Sequence, residues 1–150
     1  MKVFEQILSN HAFVSFVLAW FSAQFAKGIQ GIFKEKSIKG FRRVIANGGM
    51  PSSHASSVCA LCTASVLAYG FSSFQFAVSA LLAFIVMNDA FGVRYETGKH
   101  SKVLKRLLKE GGVDMEVELK VAVGHTPRQV VVGAALGIAI SLALKYLFYN

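Results

Sequence analysis

Charged residues are segregated along this chain, and the stretches between them are long and apolar. Lys, Arg, Asp and Glu are absent from residues 6–26, 44–88 and 129–144. Because a membrane-spanning helix needs about 20 mostly apolar residues, the first and third stretches each fit one span and the second fits two. A soluble helical bundle could bury one such stretch, but four spans would leave little polar surface for water.

These stretches predict an all-α fold, an integral membrane bundle of four transmembrane helices that forms a single domain over residues 1–150. The predicted spans are residues 7–26, 53–69, 74–93 and 129–148. A tight turn at residues 70–73 joins the second span to the third. The fourth span contains Lys145, whose long side chain can extend to the membrane surface.

A basic amphipathic segment lies between the third and fourth predicted spans. From residue 99 to residue 110, Val103, Leu104, Leu107 and Leu108 form one apolar face, and basic residues cover the rest. The glycines at 111 and 112 are expected to end this helix. The pattern is typical of an interfacial helix that lies on anionic lipid, and it would also suit a lid over a site on the same face.

Composition excludes several classes of protein. Hydrophobic residues make up 54% of the chain and charged residues 16%, against about 45–50% and about 25% in soluble domains, so the chain is not intrinsically disordered. Two cysteines are too few for a disulfide scaffold. The net charge of +8 fits either anionic lipid headgroups or an anionic substrate. Because the basic residues border membrane spans, nucleic acid is not an expected partner.

The basic residues also predict an orientation in the membrane. Six Lys or Arg residues lie in the connection after the first span and eight in the connection after the third, whereas the middle turn has none. Four spans place those two connections on one side, which the positive-inside rule makes cytoplasmic. We therefore expect a multi-pass membrane protein with a cytoplasmic active-site face. Cations that bind an anionic substrate on that face would produce the same charge bias.

The span ends on this face carry polar residues suited to phosphate. They are Lys27, Arg42, Arg43, Ser52, Ser53, His54, Asp89, Arg94 and His125. Lys and Arg bind phosphate oxygens, and a serine at a helix start can cap the helix or donate to an oxygen. Two histidines can divide the roles of nucleophile and general acid. These residue types suit phosphoryl transfer without a cofactor, and no pair of candidate metal ligands has helical i, i+4 spacing.

Three motifs at these positions resemble those of a known family. Residues 51–54, Pro-Ser-Ser-His, are similar to Pro-Ser-Gly-His of the type 2 phosphatidic acid phosphatase superfamily, which also contains bacterial acid phosphatases and vanadium haloperoxidases. The match is closer to a small divergent branch, which carries Gly-Gly-Met-Pro-Ser-Ser-His, Asp-Ala-x-Gly-Val-Arg and Gly-His-Thr-Pro. All three occur here in that order, at residues 48–54, 89–94 and 124–127.

The resemblance implies a role for each matching residue. His125 would attack phosphorus and form a phosphohistidine, and His54 would protonate the leaving group. Asp89 would either orient a catalytic side chain or pair with Arg94. The phosphate would be bound by Lys27, by Arg42 or Arg43, and by Arg94. The helix-start serines, Ser52 and Ser53, are added as phosphate ligands on their residue type alone, because a hydroxyl can donate to a phosphate oxygen.

One departure from the superfamily concerns the residue that orients the nucleophile. Four residues after the nucleophilic histidine the superfamily has an aspartate, whereas this chain has Gln129. A glutamine can accept the imidazole N–H but carries no charge to stabilise an imidazolium.

The predicted function is hydrolysis of a lipid or isoprenoid phosphomonoester or pyrophosphate by a metal-independent membrane phosphatase. The alternative, which Gln129 favours, is a non-enzymatic membrane protein that retains a phosphate-headgroup site for lipid binding or scaffolding. The expected partners are a lipid phosphate substrate and membrane lipid. Gly133 and Gly137 form a G-x-x-x-G pattern, which suits close helix packing within the bundle or a homo-oligomer.

Overall fold

The computed structural model describes residues 2–45, 49–111 and 124–149, and within these ranges it contains helices and no strands. The α-helices are α1 (Lys2–Ser9), α2 (His11–Glu35), α3 (Ser53–Tyr69), α4 (Phe74–Asn88), α5 (Arg94–Glu110) and α6 (Pro127–Phe148). A 3₁₀ segment, Ile38–Ile45, follows α2, and a π-turn, Asp89–Val93, joins α4 to α5.

Polar side chains fix where several helices begin. Asn10 caps α2 by accepting the Phe13 N–H at 3.0 Å, and Ser73 caps α4 by accepting the Phe76 N–H at 3.2 Å. The first long helix therefore starts at His11 and continues to Glu35, later at both ends than the predicted 7–26. An Asn side chain favours a cap over a helix interior, which explains the break between α1 and α2.

The core of the bundle is built from small residues. Helices α2, α3 and α6 pack together through fully buried alanines and serines, including Ala19, Ala60 and Ser56. A Cβ on Gly133 would lie 2.4 Å from the Ser52 carbonyl oxygen, so α6 approaches α3 too closely for any side chain there. The large apolar residues instead face outwards, as in Phe21, Phe33 and Phe84, with 58%, 77% and 67% of their surface exposed. This distribution suits a surface in contact with lipid.

The chain remains helical from Phe74 to Glu110 through α4, the π-turn and α5. In the π-turn the Arg94 N–H donates to the Asp89 carbonyl, five residues earlier, so the helix absorbs an extra residue without ending. The predicted third span, 74–93, and the predicted amphipathic helix, 99–110, are therefore parts of one continuous helix. It ends at Gly111, whose N–H donates to the Leu107 carbonyl at 2.8 Å.

Three helices in the described part of the chain are long and apolar enough to cross a membrane. They are α2, the stretch Phe74–Leu108 of the continuous helix, and α6. Helix α3 occupies the residues predicted for the second span, but its 17 residues rise only about 26 Å. The described part of the chain therefore contains helices and no strands, and three of its helices have the length and composition expected of an integral membrane protein.

Candidate active site

Two backbone hydrogen bonds join the segments that carry the three sequence motifs at one end of the bundle. The Ser52 N–H, at the start of α3, donates to the Gln129 carbonyl in α6 at 3.0 Å. The His125 N–H donates to the Ala90 carbonyl in the π-turn at 2.9 Å. Gly124 allows this approach, because a Cβ there would lie 2.2 Å from the Tyr95 backbone nitrogen. Segments distant in sequence thus meet through main-chain contacts.

The two motif histidines face each other across this site. The ring centroids of His54 and His125 are 5.9 Å apart, with 64° between the ring planes. His125 is buried, with 2% of its surface exposed, whereas His54 is exposed on the first turn of α3. The rings are close enough for one bound group to contact both imidazoles, and the exposure of His54 leaves such a group open to solvent.

Gln129 both caps α6 and holds His125. Its Oε1 accepts the Thr126 N–H at 3.0 Å, which completes a capping box with Thr126 at the start of the helix. The same oxygen lies 3.3 Å from Nδ1 of His125. An amide oxygen can only accept, so this contact is a hydrogen bond when Nδ1 carries the proton. In that tautomer Nε2 keeps its lone pair and can act as a nucleophile.

The surroundings of His125 favour its neutral form. Burial lowers the pKa of His125 below its ordinary value, and the positive charges of Lys27 and His54 lower it further. Hydrogen bonds with the Gln129 side chain and the Gly49 backbone act in the opposite direction and are outweighed. A neutral imidazole is the form that a nucleophilic role requires.

Lys27 is a buried cation with neutral partners. Only 5% of its surface is exposed, and its Nζ donates to Gln24 Oε1 at 2.8 Å and to Ser53 Oγ at 3.2 Å. No carboxylate among the described residues pairs with this ammonium. Because a buried charge without a counter-charge is costly, the arrangement is suited to an anion bound beside Lys27.

The two serines of the second motif are buried and serve different purposes. Ser52 is the N-cap of α3, and its Oγ accepts the Ala55 N–H at 3.4 Å. Ser53 has 3% of its surface exposed and holds Lys27 through its Oγ. The superfamily has glycine at the Ser53 position, so this chain gains a side-chain partner for Lys27.

Asp89 and Arg94 form an exposed ion pair near His54. Arg94 Nε donates to Asp89 Oδ2 at 2.5 Å, and both residues lie within electrostatic range of His54. The terminal guanidinium nitrogens of Arg94 have no partner among the described residues. The contact with Arg94 fits both roles predicted for Asp89, a structural ion pair and the orientation of a phosphate-binding arginine.

The remaining predicted phosphate ligands lie on the 3₁₀ segment. Arg42 is exposed and lines a surface groove with Ile38 and Phe41, and it makes no hydrogen bond to the site within the described residues. The side chain of Arg43 lies outside the described residues. The structure therefore brings Lys27 to the histidines and does not bring Arg42 to them.

Sequence reasoning missed Gln24, the partner of the buried lysine. It precedes Lys27 by three residues on α2, a spacing that places two side chains on one helix face, so the signal was present. Within the described ranges, no group of three His, Cys, Asp or Glu residues has the arrangement needed to hold a metal ion.

Comparisons with known proteins identify the family of this chain. The sequence model of a family described as "Divergent PAP2 family" matches residues 8–140. The chain is 35% identical over 158 aligned residues to "Uncharacterized membrane protein YuiD" of Bacillus subtilis (strain 168), covering 95% of this chain and 99% of that protein. No solved structure matches the chain significantly. The family match covers all three motifs and most of the chain, and the chain belongs to the Divergent PAP2 family.

Proposed function

We propose that this protein is a membrane phosphatase that hydrolyses a lipid or isoprenoid phosphomonoester or pyrophosphate through a phosphohistidine on His125. The observation that carries the proposal is the opposition of a buried His125 and an exposed His54 at 5.9 Å between ring centroids. An attacking atom needs to lie about 3–3.5 Å from phosphorus, and a general acid about 2.6–3.2 Å from the leaving oxygen. The closeness of the two rings supports a shared phosphoryl group, with one imidazole on phosphorus and the other on the leaving oxygen.

In the first step Nε2 of His125 attacks phosphorus. The N–P bond forms with the imidazole lone pair, and the bond from phosphorus to the leaving oxygen breaks. Protonated His54 gives its proton to that oxygen, so the lipid leaves as an alcohol or as a lipid phosphate. The hydrogen bond between Nδ1 and Gln129 keeps the attacking nitrogen pointed at phosphorus.

In the second step water replaces the lipid. His54, now neutral, accepts a proton from the water as its oxygen attacks phosphorus. The N–P bond breaks, its electron pair returns to Nε2, and inorganic phosphate leaves. The exposure of His54 supports this step, because the attacking water must arrive from the side that the leaving group vacated.

Cations on both sides would stabilise the charge on the phosphoryl oxygens. Lys27 lies at the buried side, held by Ser53, and its charge acts on both histidines. Arg94 lies at the exposed side, where Asp89 holds Nε and leaves the terminal nitrogens to bind phosphate. Preorganised donors of this kind supply a large share of transition-state stabilisation.

A second candidate function is a non-enzymatic membrane protein that binds a phosphate headgroup. Gln129 is the observation that favours it, because a neutral amide gives no charge stabilisation to the imidazolium that forms during turnover. Its Oε1 is also shared with the Thr126 N–H, which weakens its hold on the histidine ring.

Phosphate release distinguishes the two candidates. We would measure release by the purified protein from a panel of lipid monophosphates and lipid pyrophosphates, with EDTA present throughout. The proposal expects release from at least one lipid, unaffected by EDTA. No release from any lipid, together with binding of the same lipids, would support the headgroup-binding alternative.

The proposal includes an arrangement in the membrane. We propose that α3 is a fourth span, that the site faces the cytoplasm and that the basic end of α5 lies against anionic lipid.

Cysteine labelling tests this arrangement. In a variant without Cys59 and Cys62, the substitution Ser37→Cys should introduce a thiol that reacts with a membrane-impermeant reagent only from the cytoplasmic side. A cysteine at Ser73 should react only from outside. The reverse pattern would mean that substrate-binding cations, not membrane orientation, account for the charge bias.

A further inference from the structure

A cleft separate from the histidine pair lies between α5 and the start of α6. Its volume is about 280 Å³, and its lining includes Tyr95, Lys99, Lys102, Thr126 and Gln129. The lining joins basic side chains of α5 to the capping box that begins α6. A phosphate group would fit within this volume.

The charge of the cleft is positive. Lys99 pairs with Glu96 at 2.7 Å, and its Nζ lies 4.6 Å from the centre of the Tyr95 ring. Lys102 has no carboxylate partner among the described residues. The two ammonium groups and one carboxylate leave a net positive charge, which suits a ligand with a single phosphate charge.

Gln129 connects the cleft to the proposed nucleophile. The Gln129 side chain lines the cleft, and its Oε1 lies 3.3 Å from Nδ1 of His125. The cleft therefore adjoins the Nδ1 side of the imidazole ring, whereas Nε2, on the other side of the ring, would attack the substrate.

This placement separates the cleft from the substrate. In an in-line displacement the leaving group departs on the side of phosphorus opposite the attacking nitrogen. The second phosphate of a lipid pyrophosphate would then lie towards His54 and away from Lys99 and Lys102. A phosphate in the cleft must belong to another molecule.

We propose that this cleft binds the phosphate headgroup of an anionic membrane phospholipid, which steadies Gln129 and with it His125. The source is a bilayer lipid because α5 continues directly from the membrane-spanning α4. The binding part of the inference is independent of catalysis, and its effect on turnover rests on the proposed function.

Binding is tested first, with a probe that the histidine site does not hydrolyse. Short-chain phosphatidylglycerol, a phosphodiester, would be titrated into the full chain in detergent and followed by calorimetry. The double variant Lys99→Gln, Lys102→Gln should bind about 10–30-fold more weakly than the wild type, from the usual effect of each basic residue near an anionic headgroup. Lys105→Gln is the matched control, since Lys105 is exposed on the same helix and does not line the cleft.

The effect on turnover is tested in nanodiscs. Phosphate release should rise when phosphatidylglycerol is added to zwitterionic lipid, for the wild type and for Lys105→Gln, and this rise should disappear in the double variant. Equal binding of phosphatidylglycerol by the wild type and the double variant would overturn the inference. Equally tight binding of inorganic phosphate at the cleft would also overturn it, because the ligand would then be free phosphate. If the double variant binds phosphatidylglycerol more weakly than the wild type but no nanodisc shows phosphate release, the lipid site in the cleft stands and the proposed phosphatase function is refuted.

Discussion

The buried and exposed halves of the candidate active site are built differently. In the buried half, His125 and Lys27 have 2% and 5% of their surface exposed, and neutral side chains hold both. In the exposed half, His54 is open to solvent and Arg94 pairs with a carboxylate. In the buried half Lys27 has no counter-charge among the described residues, whereas in the exposed half Asp89 neutralises part of the charge of Arg94.

The difference indicates which half performs which chemistry. A buried, neutral imidazole held by a helix cap is fixed for attack on phosphorus. An exposed imidazole beside an ion pair can exchange protons with water and with a departing oxygen. The proposed division of labour between the histidines follows from burial and hydrogen bonding, and changes to either half should have unequal effects.

The largest effect is expected when the buried half loses its nucleophile. His125→Ala should abolish phosphate release, because no other described side chain occupies the position of Nε2. The measurement is the steady-state rate of phosphate release from the best substrate of the lipid panel. Retained protein yield and helix content would show that the fold survives. A variant that keeps a tenth of the wild-type rate would remove His125 from the role of nucleophile.

Removing the exposed histidine should have an effect that depends on the leaving group. His54→Ala should slow phosphate release from a lipid substrate by about 10²–10⁴-fold, the usual contribution of a general acid. With p-nitrophenyl phosphate the initial burst of p-nitrophenolate should slow much less, since this leaving group departs without a proton. Equal losses on both substrates would make His54 a phosphate ligand or a structural cap.

Removing the buried cation should separate activity from stability. Lys27→Met keeps a long apolar stem and removes the charge, so turnover should fall by about 10²–10³-fold, as for loss of one preorganised donor. The thermal midpoint should stay the same or rise, because the variant no longer buries an unpaired ammonium. Lys34→Met, an exposed position on the same helix, is the matched control and should change neither. A lower midpoint with unchanged turnover would make Lys27 a structural residue.

The smallest expected effect is a shift in pH dependence. Because burial lowers the pKa of His125, the nucleophile stays neutral to a lower pH than an ordinary histidine. Phosphoenzyme formation should therefore be lost as pH falls only below the usual imidazole range. Lys27→Met removes a positive charge that lowers this pKa, so its acid limb should move to higher pH. Single-turnover rates across pH would measure the acid limb of the wild type and that of Lys27→Met. An acid limb that moves to lower pH in Lys27→Met would contradict the assigned effect of Lys27 on His125.

The sequence predicted the helical bundle and the meeting of the motifs because both depend on local patterns. Charge-free stretches marked the apolar helices, and Ser52 and Gly111 lie where α3 begins and α5 ends. The convergence of His54 and His125 followed from placing each motif at the same end of a span.

The sequence did not predict the features that depend on contacts between helices. A π-turn has no simple sequence pattern, so the sequence did not predict that the helix continues through Arg94. It predicted a separate interfacial helix over residues 99–110 instead. The placement of Arg42 in a surface groove depends on how the 3₁₀ segment packs along α2. There a Cβ on Gly40 would lie 2.1 Å from the Gly31 carbonyl oxygen.

The most direct test of the account is the identity of the phosphorylated residue during turnover. The protein would be quenched in alkali, which preserves phosphohistidine, while it hydrolyses its best lipid substrate, and the modified peptide would be sequenced by mass spectrometry. We predict phosphate on His125 and none on His54, with the signal absent from His125→Ala. Phosphate release without a phosphohistidine, or with the phosphate on His54, would contradict it.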